Sequence, residues 1–175
     1  MRLKNKIAII TGAGSGFGKG IAIRFAEEEA KVVIVDINID SAEKVAMEIG
    51  KNALAIKCDV SQDGDVASLF EQTLEQFGSA DILVNNAGTT HRNKPMTEVT
   101  EKEFDQIFAV NVKSVFLTAK HGVPLMKKKG QGVILNVAST AGQRPRPGLT
   151  WYNTSKGAMI TATKAMAIEL ATFKI

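Results

Sequence analysis

Residues Lys6–Gly18, K-I-A-I-I-T-G-A-G-S-G-F-G, join a short isoleucine-rich run to glycines at every second position. An apolar run of this length that ends at glycine reads as a strand buried on both faces, as in a parallel sheet. The period then changes, and Ile21, Ala22 and Phe25 line one side of a helix extending to Glu29. Strand, glycine turn and helix in this order form a phosphate cradle: glycine lets the backbone approach an anion, and the helix N-terminus supplies amide donors and a positive dipole. The spacing satisfies neither the G-x-G-x-x-G fingerprint nor a P-loop, since no Lys-Ser/Thr pair follows. A merely tight turn would use the same glycines, but the position directly after a first strand favours the cradle.

Outward from this unit the alternation continues without a linker, repeat or low-complexity segment. Lys31–Asp36 is a second β-branched strand, and the next helix begins near Asp40, where D-S-A-E resembles a capping box. Ala53–Lys57 is a third strand, Val66 to Phe77 mark a helix, and Asp81–Val84 is a fourth strand before Asn85-Asn86-Ala87-Gly88. A capping box at Thr100–Glu103 opens one long helix with Phe104, Phe108, Asn111 and Val115 on a stripe. Gly132–Ala138 is a fifth strand, and a loop with Pro145 and Pro147 leads to a closing helix from about Trp151 to Ala171. Such alternation predicts an α/β fold, an open doubly wound parallel sheet. Ligands of these sheets bind outside the carboxyl ends of the strands. The glycine turn, Asp36, Asp59, N-N-A-G and Ser139 all fall there.

Asp36 stands 18 residues after Gly18, near the spacing at which a carboxylate accepts hydrogen bonds from an adenosine ribose. A 2′-phosphate would meet a like charge, and Ser15, Ile37 and Asn38 offer no cation to counter it. NAD is therefore expected over NADP, with a helix-capping role for Asp36 as the competing reading.

At 175 residues, 45% hydrophobic and 23% charged, the composition is that of one globular domain. A single cysteine, Cys58, excludes an internal disulfide and a cysteine-cluster metal site, and two histidines, His91 and His121, argue against a histidine-rich one; no metal is expected. The N-terminus lacks a long apolar segment and no run approaches the ~18 residues that span a bilayer, so the reading is cytoplasmic and not membrane-bound. Net charge is +4, but the densest basic run, Lys127–Lys129, ends a helix before Gly130, where cations suit the dipole. No aromatic-basic interleaving supports nucleic-acid binding.

The stretch Y-N-T-S-K sets the Tyr152 phenol and the Lys156 ammonium one helical turn apart. A free phenol with a pKa of ~10 is a poor base, but a cation beside it favours the phenolate, which makes the pair a candidate acid/base. Alone, the pair reads rather as a helix start carrying an aromatic and a solvated lysine. T-G-A-G-S-G-F-G, Asp59-Val60, N-N-A-G, Asn111, Ser139 and Y-N-T-S-K, in this order and with thirteen residues from Ser139 to Tyr152, resemble the short-chain dehydrogenase/reductase family over the whole chain.

The resemblance implies a Rossmann-like sheet of order 3-2-1-4-5 and a hydride transfer between NAD(H) and a small alcohol or ketone. It makes Tyr152 the acid/base, with Lys156 lowering its pKa and holding the nicotinamide ribose. Ser139 would hydrogen-bond the reacting oxygen and Asn111 would bind a relay water. Gly12, Ser15, Gly16, Phe17, Gly18, Asp36, Asp59, Val60, Asn86, Ala87 and Gly88 become cofactor contacts along with Tyr152 and Lys156. A homo-oligomer, dimer or tetramer, is implied through the small-sided closing helix with Ala158, Ala162 and Ala165.

The chain departs from the family pattern in two places. Family members continue past the closing helix into further strands and a substrate-covering loop, so a domain truncated at its C-terminal end is expected, with the fifth strand left as an apolar edge. A dinucleotide-binding or interaction fragment without turnover is the alternative this raises. Glu29 stands where the family commonly has glycine. His91, Arg92, Arg144 and Arg146 flank the expected pocket; Arg144 and Arg146, in one loop, read as solvated charges or as recognisers of an acidic substrate group or a carrier-bound acyl chain.

Overall fold

β-Branched residues fill the strands. In the computed structural model, which describes residues 1–175, β1 (Ile7–Thr11), β2 (Lys31–Asp36), β3 (Ala53–Lys57), β4 (Ile82–Asn85) and β5 (Val133–Asn136) form one sheet. All pairings are parallel and the order is β3-β2-β1-β4-β5, the Rossmann-like arrangement. The helices are α1 (Gly16–Glu27), α2 (Ile39–Ile49), α3 (Asp63–Phe77), α4 (Glu101–Phe108), α5 (Ser114–Lys129) and α6 (Thr150–Leu170). None is long and apolar enough to cross a membrane.

Side chains alternate along each strand, so the sheet has two cores. Ala8, Ile10, Val32 and Ile34 pack with Ala22 of α1 and Ala42 and Val45 of α2. Ile9, Val33, Val35 and Leu83 pack with Leu69 and Phe70 of α3 and Leu117 and Met126 of α5. Burial on both faces is why these strands read as unbroken apolar runs.

A polar ladder crosses the same side as α5. Thr118 Oγ1 donates to Asn85 Oδ1 (2.8 Å), Asn85 Nδ2 to Asn136 Oδ1 (2.8 Å), and Asn136 Nδ2 to Thr163 Oγ1 of α6 (2.9 Å). It fastens α5 and α6 to the ends of β4 and β5. β5 is the edge strand, and Val133 and Leu135 are exposed on it.

The structure differs from the sequence expectation at two joints. The stripe from Phe104 to Val115 is not one helix: α4 and α5 are separated by a π-helical turn at Ala109–Lys113, whose wider winding periodicity does not register. The cap of α2 is not Asp40 but Asn38, whose Oδ1 accepts the Ser41 N–H at 3.2 Å. Asn38 can serve because Asp36 Oδ1 accepts its own N–H at 3.0 Å, turning the chain at the end of β2. Glu29 has φ +68°, the left-handed conformation that favours glycine and costs other residues ~1–2 kcal/mol. The capping box of α4 forms as expected. There Lys94 and the N–H and hydroxyl of Thr100 hold the Glu103 carboxyl down to about 2.

Candidate active site

The glycine turn is clamped to the N-N-A-G segment. Thr11 Oγ1 donates to Val84 O (3.2 Å) and accepts the N–H groups of Asn86 (3.0 Å) and Ala87 (3.1 Å). Asn86 Nδ2 answers by donating to Thr11 O (2.9 Å) and Gly12 O (3.1 Å). Two strand ends that are adjacent in the sheet but far apart in sequence thus hold each other's backbone, as buried amides require.

Asp36 lies against the same turn. Its Oδ2 accepts the Gly14 N–H at 2.9 Å, an approach that needs a glycine: a Cβ there would sit 2.8 Å from Ser41 Cβ and 2.9 Å from that oxygen. Each carboxylate oxygen takes one backbone N–H and keeps capacity for a ligand hydroxyl.

A cleft of about 440 Å³ opens between these parts. It is lined by Gly12, Ser15, Gly16 and Phe17 of the glycine turn, by Asp36, Asp59 and Val60 at the ends of β2 and β3, and by Asn86, Ala87 and Gly88 after β4. Gly18 does not line it. It is buried beneath the turn, where a Cβ would collide with Gly12 O, so its role is packing.

Sequence reasoning missed Ile37, Cys58, Thr89, Gln106 and Val110, all of which line the cleft. The first three adjoin residues that were identified, but nothing in the spacing signals that α4 and the π turn bring Gln106 and Val110 to the wall. Burial and the nearby Asp65 and Asp59 carboxylates push the Cys58 thiol up to about 12, so it is a neutral lining group.

A second cleft of about 360 Å³ continues from the first, sharing Phe17, Asn86, Gly88 and Thr89 with it. Ser139, Tyr152 and Lys156 line it together. Helix geometry brings Tyr152 and Lys156 to one face, and the end of β5 brings Ser139 to meet them. Ser139 Oγ accepts the Ala141 N–H at 3.1 Å, which leaves the hydroxyl proton for another acceptor.

Lys156 is 5% exposed, and its Nζ donates to Val137 O at 2.9 Å rather than to Tyr152. Burial lowers its pKa from 10.5. A base whose folded-state pKa is depressed binds fewer protons folded than unfolded, so its charge costs stability at low pH. That cost is relieved as pH rises from the folded value to 10.5. We expect the stability difference between Lys156→Met and wild type to be most favourable to the variant near neutral pH and to shift toward wild type through that window, in urea melts at stepped pH. A difference independent of pH would refute the shift.

Asn111 sits in the π turn with no exposed surface. Its Oδ1 accepts the Thr89 N–H (2.8 Å), and its Nδ2 donates to Thr89 O (2.9 Å) and Ser155 Oγ (3.0 Å). Both amide hydrogens are spent, so a water at this side chain has only the remaining Oδ1 lone pair.

The other residues expected around the pocket are placed elsewhere. Arg146 lines a separate groove with Asn153 and Thr154, on another face of α6 from Tyr152. Arg144 and Arg92 are exposed, and His91 is buried, with Nδ1 donating to Arg92 O at 2.7 Å. Trp151 packs edge-on to Phe104 (5.3 Å between centroids), with Nε1 donating to Met96 O at 3.3 Å. It anchors the start of α6 to α4.

A doubly wound parallel sheet with a glycine turn at its first strand end, an aspartate at its second and a continuous cleft across both halves defines a Rossmann-like α/β fold. The profile of the short chain dehydrogenase family matches residues 6–175, and the chain belongs to that family of oxidoreductases. It is 48% identical to the 4-formylbenzenesulfonate dehydrogenase of Comamonas testosteroni over 98% of this chain and 69% of that protein. It is 38% identical to the 2-(R)-hydroxypropyl-CoM dehydrogenase of Xanthobacter autotrophicus, over 95% of this chain and 69% of the relative. The crystal structure of 3-ketoacyl-(acyl-carrier-protein) reductase from Brucella melitensis complexed with NADH superposes with a TM-score of 0.98 at 52% identity. That match covers 99% of this chain and 73% of the other.

Proposed function

We propose that the protein transfers a hydride between NAD(H) and an alcohol or ketone, with Tyr152 as the acid/base. One observation carries this reading: a continuous cleft with Asp36 at one end and Ser139, Tyr152 and Lys156 at the other. The residues fit a nicotinamide dinucleotide, because the Gly14 N–H seats Asp36 at 2.9 Å in the cleft lining with carboxylate capacity left for the hydroxyls of an adenosine ribose. Gly12, Ser15, Gly16 and Phe17 would hold the pyrophosphate. Asp59 and Val60 would border the adenine, and Asn86, Ala87 and Gly88 the ribose next to the nicotinamide. The bound dinucleotide supplies the hydride acceptor or donor.

The chain's own residues manage the proton. In oxidation the Tyr152 phenolate takes the hydroxyl proton of the alcohol; in reduction the phenol returns it to the carbonyl oxygen. The unused Ser139 proton hydrogen-bonds the reacting oxygen and fixes its direction. Lys156, on the same helical face, favours the phenolate through its charge and offers N–H donors to ribose hydroxyls. NAD is preferred because Asp36 is fixed by two backbone N–H groups where a 2′-phosphate would lie, with Ile37 rather than a cation beside it.

A dinucleotide-binding module without turnover is the second reading, favoured by the Lys156 ammonium resting on Val137 O instead of the phenol. The two separate in an assay of NADH absorbance with secondary alcohols, aldehydes, ketones and β-ketoesters. It should be run on this chain and on a form extended to the length of its relatives. Turnover in either form supports the enzyme; NADH binding with no turnover in both supports the module.

A further inference from the structure

Ser155 is fully buried and lines neither of the two clefts. It donates to Tyr152 O at 2.7 Å and accepts the second Asn111 amide hydrogen at 3.0 Å. Asn111 in turn holds the Thr89 backbone through both of its polar groups. Thr89 lines both clefts, so this short chain of bonds ties the rim shared by cofactor and substrate to the helical turn that carries Tyr152.

The clamp of Thr11 and Asn86 fixes the earlier part of the same loop without using Ser155. The loop therefore has two anchors, one to the glycine turn and one to α6.

We propose that Ser155 is a positioning residue, which, through Asn111, sets the Thr89 rim and Tyr152 at a fixed separation. The proposal rests on the reading of Tyr152 as the acid/base. Removing the hydroxyl leaves one Asn111 hydrogen unpaired in a dry site and frees the amide to turn. Thr89 then loses its fixed partner, while the glycine-turn clamp keeps the cofactor end in place.

The same helix contains its own control. Two turns on, Thr163 Oγ1 donates to Met159 O (2.8 Å) and accepts an amide hydrogen from Asn136 (2.9 Å). This bonding copies that of Ser155 but touches neither cleft lining nor Thr89.

The test compares Ser155→Ala with Thr163→Val in three measurements: NADH affinity by fluorescence titration, exchange of the Thr89 N–H, and kcat with ethyl acetoacetate and NADH. In Ser155→Ala, Thr89 exchange should accelerate and kcat fall by ~10-fold or more, the equivalent of one buried hydrogen bond, with NADH affinity within ~2-fold of wild type. Thr163→Val should lose thermal stability and leave Thr89 exchange and kcat as in wild type. Wild-type exchange and kcat in Ser155→Ala, or an equal fall in kcat in Thr163→Val, overturns the proposal. Should Ser155→Ala not fold, Ser155→Cys fills the same space with a weak donor and must show the same signature.

Tyr152→Phe separates the two levels of inference. If it is inactive, a wild-type Ser155→Ala overturns the positioning role alone; if it turns over, the acid/base reading beneath that role fails.

Discussion

Tyr152→Phe is expected to lower kcat by ~10³-fold or more, within the range assigned to a positioned acid/base, and to leave NADH affinity near that of wild type. The substitution removes one oxygen and keeps the ring, so the wall of the second cleft is preserved. The cofactor cradle is built from the glycine turn, Asp36 and the N-N-A-G segment, none of which relies on the phenol. Rate and affinity should therefore separate. Lys156→Met should also depress kcat but, unlike the phenylalanine variant, weaken NADH binding, because its ammonium is assigned to the ribose as well as to the phenol. Stopped-flow rates with a fluorescence titration of NADH would check both. Turnover within a few fold of wild type in Tyr152→Phe would exclude the tyrosine from proton transfer.

The second large effect concerns the cofactor. Asp36→Ala combined with Ile37→Arg is expected to move the NADPH-to-NADH affinity ratio by ~100-fold or more, since juxtaposed like charges cost several kcal/mol and each 1.4 kcal/mol is tenfold. The alanine removes the carboxylate, and the arginine adds a planar guanidinium suited to phosphate. The Gly14 and Asn38 N–H groups that Asp36 now occupies also become free for the added phosphate. An unchanged ratio would return Asp36 to a purely structural role at the end of β2. Its bond to the Asn38 N–H already gives it part of that role.

Much of the fold was legible because a parallel sheet buried on both faces demands continuous β-branched runs. The chain places such runs at β1 and β2 between helical stripes of a different period. The glycine turn, Asp36 and the Tyr152–Lys156 pair were legible for a related reason: each is a local chemical arrangement set by spacing along one element or one turn. What sequence misjudged was mostly junctions. The capping of α2 depends on which of several polar side chains reaches an N–H, and Asn38 wins because Asp36 has already oriented it. The π turn at Asn111 adds a winding that a 3.6-residue stripe tolerates without visible break. Gly18 sits among the cradle glycines in sequence but lies beneath them in space, because the turn folds back over it.

The arginines show the limit from the other side. Arg144 and Arg146 are close to Tyr152 along the chain, yet Arg146 lines a groove with Asn153 and Thr154 on a different face of α6. Proximity in sequence fixes only a distance along the backbone, and the loop before α6 is held by Asn153 Nδ2 donating to Arg146 O, on a face of the helix that does not carry Tyr152.

The amino-acid sequence by itself determined the order of elements, the strand-end location of the site and the chemical types gathered there, since periodicity and turn chemistry are local properties. Only the tertiary structure decided that Thr11 and Asn86 clamp two strand ends together. Likewise it placed Gln106 and Val110 in the cleft beside the glycine turn, the Lys156 ammonium on Val137 O, and Ser155 between Asn111 and Tyr152. These are pairings across the sheet and between helices. Their partners are chosen by which buried donors and acceptors remain unsatisfied once the cores have packed, a condition that no single segment of the chain contains.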